Sequence, residues 1–460
     1  MQIRDKKILV AGLGLSGQAA AKLAKSKKAC VYVSEIANTK ALQKKAKDLR
    51  KHGIAVELGR HSASFLKGTD LLIVSPGLKD NSRAIVWAQR YKVPIISEIE
   101  FASWFCPAPI IAITGTNGKS TVTTLIGKVL NKAGKRTIIC GNIGNPFSGE
   151  AARFKSADVV VLEVSSFALR HIKNFRPKVS VILNISQNHL DYHKTMAEYF
   201  RAKSKILVNQ KKDDFTVLNF DDASIRSLAK KTKAKTVFFS KRKVNLPLAI
   251  NKCHAAAWLD GNNIKVLWKK KEKITLSKQR LKLKGVHNYQ NIMSAILACL
   301  TQNADKKKIL DAILSFKGLE HRCEYVTTIR GVRFVNDSKA TTVDATACAL
   351  SIFEGRNVVL VCGGYDKGSN FACIRPLIKK KVRCLVVMGK ARNKIKKALG
   401  DTVDTITAKN LEHAVWLAFK NASSGDCVLL SPMCASFDMF KNFEQRGIIF
   451  KKIVRDLRQR

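Results

Sequence analysis

Lys119 and Ser120 close the run Ile110-Ile111-Ala112-Ile113-Thr114-Gly115-Thr116-Asn117-Gly118-Lys119-Ser120-Thr121, an apolar stretch that passes through two glycines into Lys-Ser-Thr. That order of residue types suits a grip on phosphate. Gly115 and Gly118 permit a tight turn that aims successive backbone N–H groups inward, and the residues after Lys119 open a helix whose positive end faces the same point. Lys119 then reaches the terminal phosphates of a nucleotide, and the Ser120 hydroxyl sits on Mg²⁺. Ile113 stands where the strict phosphate-loop pattern carries a glycine. Downstream, Asp158-Val159-Val160-Val161-Leu162-Glu163 reads as a buried strand ending in an acid. This is the layout that delivers a carboxylate beside a phosphate loop, where it can hold Mg²⁺. A glutamate that ends a strand is common, so the role rests on its pairing with Lys119. His189 follows the apolar run Val179 to Asn184 and is expected on the metal side of the same site. From Thr195 the chain reads as a helix carrying Tyr199 and Lys203.

A second set of polar residues gathers near the other end of the chain. Asn336 to Thr341, Gly363 to Gly368 and Ser431 to Phe437 each follow an apolar run, so Lys339, Lys367 and Ser436 are expected to converge at one sheet edge. Two lysines and a hydroxyl facing one crevice suit a substrate with more than one carboxylate. Near the start, Gly12-Leu13-Gly14-Leu15-Ser16-Gly17 and the later Ser34-Glu35 have the form of a dinucleotide fold, with Glu35 where a ribose hydroxyl would be held.

The elements that must position these groups are strands alternating with helices, which predicts an α/β chain. About three domains fit 460 residues. The expected division is a Rossmann-like domain over 1–103, a central ATPase-like domain with a mixed sheet over 104–317, and a C-terminal Rossmann-like domain over 318–460. In the first, residues 6–11, Val31-Tyr32-Val33, Leu71 to Val74 and Val93 to Ile96 predict a parallel sheet. Phe105-Cys106-Pro107-Ala108-Pro109 is the expected hinge to the central domain. Short alternating runs between 213 and 283 predict a peripheral sheet, and Ile292 to Leu300 a helix opened by His287 to Asn291.

Composition narrows the class. The net charge is +49, but the lysine clusters fall in every predicted domain, so the excess does not describe one nucleic-acid groove. Twelve cysteines without metal-finger spacing predict buried apolar residues in a reducing cytoplasm. Gly12, Gly14 and Gly17 interrupt the N-terminal apolar run, which argues against a secretory signal, and no stretch approaches the roughly 18 apolar residues of a membrane span.

Several of these stretches together resemble the Mur ligases, and among them the D-glutamate-adding members. They are Gly12 to Gly17, Ser75-Pro76-Gly77, the loop 114–121, Gly141-Asn142-Ile143-Gly144, Leu162 to Phe167, Asn288 with Asn291, His321-Arg322, Asn336 to Thr341, and Leu430 to Gly447. Ala168 stands where the family often has glutamine, and the Asp-Asn-Pro-Arg signature of the diaminopimelate- or lysine-adding members is absent. The resemblance implies an ATP-dependent amide ligase whose first domain holds a UDP-sugar despite its dinucleotide-like glycines. It implies ATP, UDP-N-acetylmuramoyl-L-alanine (UDP-MurNAc-L-Ala) and D-glutamate as substrates, with two Mg²⁺ ions. Residue by residue, it implies ATP contacts from Gly115, Thr116, Asn117, Gly118, Lys119, Ser120, Thr121, Asn288, Asn291, Arg322 and Asp337. Ser120, Glu163, His189 and a carbamylated Lys203 would hold the metals, and Lys119, Glu163, His189 and Lys203 would form the catalytic set. D-glutamate would meet Lys339, Thr341, Lys367, Ser436, Phe437 and Phe443, and the UDP-sugar would pass Leu15, Ser16, Glu35, Ser75, Asn142 and Ser165. A monomeric cytoplasmic enzyme, with neither membrane nor nucleic acid as partner, is the expectation. Two other readings stand beside it: another amide ligase of the Mur or folylpolyglutamate type, and a basic phosphate-loop ATPase stimulated by nucleic acid.

Overall fold

The computed structural model describes residues 2–186, 192–243, 253–269 and 272–459. Three sheets, each carrying helices, make an α/β protein of three domains. The first sheet takes β1 (Lys7–Ala11), β2 (Cys30–Glu35), β3 (Ala55–Leu58), β4 (Leu71–Val74) and β5 (Ile95–Ser97) in the order β3-β2-β1-β4-β5, all parallel. The sequence reading lacked β3, a four-residue strand of mixed polarity. The connection leaving β1 is tight because a Cβ on Gly17 would lie 2.0 Å from the Gly12 carbonyl oxygen. Only glycine lets the helix Leu15–Ser26 approach the strand this closely.

The second sheet has nine strands. They are β6 (Ile110–Thr114), β7 (Thr137–Gly141), β8 (Val159–Glu163), β9 (Val179–Ile182), β10 (Phe215–Asn219), β11 (Lys235–Ser240), β12 (Cys253–Asp260), β13 (Asn263–Trp268) and β14 (Glu272–Ser277). Their order is β14-β13-β12-β11-β10-β9-β6-β8-β7, parallel up to β12 and antiparallel for the last two pairs. The run 213–283 is therefore not a separate peripheral sheet. It continues the sheet that holds the phosphate loop, because β10 pairs with β9 and each following strand adds to the last. β6, β8 and β9 are buried at every position, which is why they read as unbroken apolar runs: both sheet faces are covered.

The third sheet orders β15 (Glu324–Ile329), β16 (Val332–Asn336), β17 (Val358–Gly363), β18 (Val382–Met388), β19 (Thr405–Thr407) and β20 (Cys427–Leu430) as β15-β16-β20-β17-β18-β19. All pairs are parallel except β15 with β16. The chain forms two compact units, one of Met1–Leu281 with Asn288–Ser315 and one of Lys282–His287 with Phe316–Arg460. The first two sheets share the first unit, and the expected hinge at 105–109 is bridged by contacts on either side. The Ser148 N–H donates to Glu98 at 2.5 Å, and the fully buried Glu100 carboxylate accepts the N–H groups of Lys173, Asn174 and Phe175 at 2.7–3.0 Å.

Among the described cysteines every thiol is free, but the expectation of uniform burial fails: Cys30 and Cys373 are exposed. Among the described residues no helix is long and apolar enough to cross a membrane.

Candidate active site

β6 lies between β9 and β8, so its carboxyl end emerges inside the sheet, third from the β7 edge. The loop that follows is held by Asn184 at the end of β9. Its backbone carbonyl accepts from Thr116 N at 2.9 Å, its side-chain oxygen accepts from Asn117 N at 2.8 Å, and its amide donates to Asn117 O at 3.1 Å. Gly118 has φ +83°, and a Cβ there would meet Asn291 Oδ1 at 2.4 Å. Asn291 therefore packs directly on the loop, and its amide donates to Asn288 Oδ1 at 3.5 Å. Lys119 Nζ folds back and donates to the carbonyls of Gly115 and Thr116, both at 2.9 Å. Ser120 and Thr121 are buried at the start of the helix Lys119–Lys132.

Glu163 ends β8 beside this loop. Its Oε1 accepts from the Asn142 amide at 3.0 Å and its backbone carbonyl from Asn142 N at 2.9 Å, while Oε2 is buried with no hydrogen-bond partner among the described residues. A buried carboxylate oxygen left unpaired is costly, and a cation removes that cost. With the Ser120 hydroxyl it offers hard oxygen donors of the kind Mg²⁺ takes, so the residues present fit that metal. Asn142, expected along the UDP-sugar path, is bonded to the carboxylate at the metal side. His189 lies outside the described residues.

Lys203 is 1% exposed. Its Nζ donates to Gly115 O at 2.9 Å and to Thr114 Oγ1 at 3.4 Å, and lies 4.6 Å over the Tyr199 ring. The Tyr199 hydroxyl sits 3.3 Å from Thr116 Oγ1, so the helix Met196–Ser204, capped by Thr195, is anchored to the phosphate loop at two points. Burial, and then the charge of Lys119, push the Lys203 amine well below the usual lysine range, with Glu163 opposing. A neutral amine at this place is a nucleophile toward CO₂. Sequence reasoning missed His193, which is buried, bonds Ser166 Oγ through Nε2 at 2.9 Å, stacks on Phe167 and packs against Tyr199. The signal was its place at the end of the run His189 to His193.

In the first domain Leu15, Ser16, Glu35 and Ser75 fall at the carboxyl ends of β1, β2 and β4, which are adjacent. Glu35 is committed to the glycine turn: its carboxylate accepts from Leu13 N at 2.8 Å and Ala37 N at 3.0 Å. Ser75 Oγ donates to Gly12 O at 3.3 Å. Leu15 is 68% exposed at the mouth of that turn, and Ser16 is half-buried beside it. Ser165 caps the helix Ser166–Arg170 by accepting from Ala168 N at 3.2 Å.

In the second unit β16, β20 and β17 are neighbours, and the three polar loops meet at their carboxyl edge. Asp337 accepts from Ser431 Oγ at 2.8 Å and Cys323 N at 3.1 Å, and burial raises its pKa to about 7. Arg322 stands near enough to oppose that rise. Lys339 Nζ lies 4.7 Å over the Phe443 ring and Lys367 Nζ 5.8 Å over Phe437, which is itself 65% exposed. Ser436 is buried, and Thr341 N donates to Lys339 O at 2.9 Å. Arg446, which lies in the Leu430 to Gly447 motif but has no role in the sequence reading, joins two of these loops. It is fully buried, with Nη2 donating to Ser338 O at 2.8 Å and Cys434 O at 3.2 Å, and Nε to Ser338 Oγ at 3.0 Å.

Known proteins match this arrangement in chain order. The family model for the Mur ligase MurD-like N-terminal domain matches residues 6–97, the Mur ligase middle domain 113–299, and the Mur ligase glutamate ligase domain 321–434. The chain is 38% identical to a UDP-N-acetylmuramoylalanine--D-glutamate ligase of Thermoanaerobacter pseudethanolicus over 467 residues, covering 100% of each. It is 40% identical to the protein of that name in a Geobacter species, covering 99% of this chain and 98% of the relative. Among solved structures, the MurF ligase of Thermotoga maritima in complex with ADP shares the fold, with a TM-score of 0.62 at 15% identity, covering 99% of this chain and 100% of that one. With full-length relatives at this identity and all three domain models in register, the chain belongs to the Mur ligase family.

Proposed function

We propose that this enzyme joins D-glutamate to UDP-MurNAc-L-Ala at the expense of ATP, a step in peptidoglycan precursor synthesis. The observation that carries the reading is that a buried Glu163 oxygen, without a hydrogen-bond partner among the described residues, and a buried Lys203 amine both flank one phosphate loop. The names of the full-length relatives support the choice of acceptor and amino acid.

Carboxylate and amine do not condense in water, because oxide leaves poorly and the carboxylate repels a nucleophile. The phosphate loop holds ATP, with Lys119 exchanging the carbonyls of Gly115 and Thr116 for phosphate oxygens. The acceptor carboxylate attacks the γ-phosphorus in line, the bond to ADP breaks, and an acyl phosphate forms. Two Mg²⁺ ions, for which Ser120, Glu163, His189 and a Lys203 carbamate are the proposed ligands, would offset the repulsion between the two anions. The D-glutamate amine then attacks the acyl carbon, loses a proton, and phosphate departs from the tetrahedral intermediate. Lys339, Thr341, Lys367, Ser436, Phe437 and Phe443 are proposed to seat the dicarboxylate. Asn288, Asn291, Arg322 and Asp337 are proposed to seat the nucleotide. Leu15, Ser16, Glu35, Ser75 and Ser165 are proposed for the UDP-sugar, with Asn142 orienting Glu163. The reading implies a monomer working in the cytoplasm, where these substrates occur.

The test measures phosphate release from ATP with UDP-MurNAc-L-Ala while the amino acid is varied. Stimulation by D-glutamate alone is expected. Stimulation by another amino acid, or by DNA without any amino acid, would overturn the reading.

A further inference from the structure

The first two sheets are joined at a place that none of the assigned site residues explains. The loop leaving β4 runs from Ser75 to Asp80, and the helix Ser166–Arg170 begins just after Glu163. The two meet end to end. Arg170 ion-pairs with Asp80 and, at 3.3 Å, with Glu198 on the helix that carries Lys203. The Tyr192 hydroxyl donates to Leu78 O at 2.8 Å, and its ring packs against Phe167 at 4.5 Å and under the Arg170 guanidinium at 5.2 Å. His171 Nε2 stands 3.8 Å from Asp80, and the His171 carbonyl accepts from Ser97 N at 2.8 Å.

These contacts link Ser75, at the proposed UDP-sugar end, to Glu163, at the proposed phosphoryl-transfer end, through two short segments. An acceptor bound at both ends must span a fixed gap. We propose that Asp80, Arg170 and Tyr192 are positioning residues forming a tether that sets this gap, and so select the acceptor by its length. The inference rests on the functional reading above. Arg170 is 20% exposed and Asp80 41%, so solvent partly screens the pair. A tether of this kind bears on acceptor binding more than on ATP binding, because Asp80 reaches the phosphate loop only indirectly, through Arg170 and Glu198, whereas the loop itself is held by Asn184.

The experiment uses the full chain with Asp80→Asn and, separately, Tyr192→Phe, which removes one hydroxyl and keeps the ring. Steady-state kinetics are measured for ATP, for UDP-MurNAc-L-Ala, and for UDP-MurNAc, which is shorter by one residue. The expected result for Asp80→Asn is a KM for UDP-MurNAc-L-Ala raised about tenfold, the factor that 1.4 kcal/mol makes, with the KM for ATP within about twofold. Its preference for UDP-MurNAc-L-Ala over UDP-MurNAc falls as well, and Tyr192→Phe moves the same quantities less. Both KM values rising together, or an unchanged acceptor KM and preference, would overturn the tether. Wild-type protein without D-glutamate-dependent turnover would refute the functional reading and the tether with it. Normal wild-type turnover with unaltered variants would refute the tether alone.

Discussion

Replacing Lys203 with methionine should make the protein more stable and catalytically dead at once. A free lysine of pKa about 10.4 is held neutral at pH 7.4 only at a cost of about 4 kcal/mol, at 1.36 kcal/mol per pH unit. Lys203 meets that cost, or the alternative cost of a charged amine buried beside Lys119, for only two hydrogen bonds to neutral acceptors. Among the described residues no carboxylate lies within ion-pairing distance of it. Apolar replacement of buried ionic groups stabilises proteins by roughly 1–4 kcal/mol, and each kcal/mol moves Tm by about 2–4 °C in a domain of 150–250 residues. A rise of about 2–16 °C is therefore expected for Lys203→Met, measured at pH 7 without Mg²⁺ or bicarbonate. The sign with pH follows from the lowered pKa in the folded state. Between that pKa and the ordinary one the unfolded chain binds more protons, so the wild type gains stability as pH rises, and the advantage of Lys203→Met shrinks toward pH 10. Activity should be lost in the same variant, and Lys203→Ala should regain part of it on addition of formate or acetate, which replace the carbamate oxygens. Calorimetry across pH and turnover with and without added carboxylate read both halves. Full activity of Lys203→Ala without added carboxylate, or no gain in Tm for Lys203→Met at pH 7, would refute the reasoning.

Gly118→Ala forces a left-handed conformation on a residue with a Cβ, at about 1–2 kcal/mol, and drives that Cβ into Asn291 Oδ1, so ATP affinity measured by titration calorimetry should fall about tenfold or more. Glu163→Gln keeps the bond to Asn142 but removes the charge on the unpaired oxygen, and should lower kcat at least a hundredfold while raising the Mg²⁺ concentration needed for half activity. Asp337, with a pKa near 7 in the fold and 3.8 as its ordinary value, binds more protons folded than unfolded across that window. Its contribution is thus complete below pH 3.8 and lost as pH rises through 7, so the Tm of Asp337→Asn relative to wild type should climb over that range. Arg446→Lys should raise the KM for D-glutamate without restoring the loop geometry, because an ammonium cannot span Ser338 and Cys434 together as the planar guanidinium does; unchanged kinetics would remove Arg446 from the architecture of that pocket.

Elements whose signal is local were legible in the sequence. The strand, glycine turn and helix around Lys119 were so, because an unbroken apolar run, glycines with forced φ and a helix start occupy consecutive residues. The parallel order of the first sheet followed from repeated strand-to-turn patterns. β3 escaped because its alternation, Ile54, Val56 and Leu58, is too short to stand out from the lysine-rich helix before it, and the true extent of the central sheet escaped because pairing of β10 with β9 is a long-range event. Asn142 shows the limit most clearly. Its motif was visible, but its bond to Glu163 spans 21 positions, and only the register of β7 against β8 brings the two together. Arg446 was equally opaque: the sequence marks an arginine, and only packing makes it a buried clamp.

Glu100 carries a consequence for any attempt to exchange parts between relatives. Its carboxylate depends on donors some 73–75 residues further along the chain, together with the Trp104 indole at 2.9 Å. A chain truncated at the first sheet would lose those donors and bare Ile99, Phe101 and Ala102, which share the core with the central sheet. Such a fragment should aggregate or unravel, whereas a chimera that carries Lys173–Phe175 along with the first sheet should stay soluble, so the workable seam for grafting lies well beyond the proline-rich link.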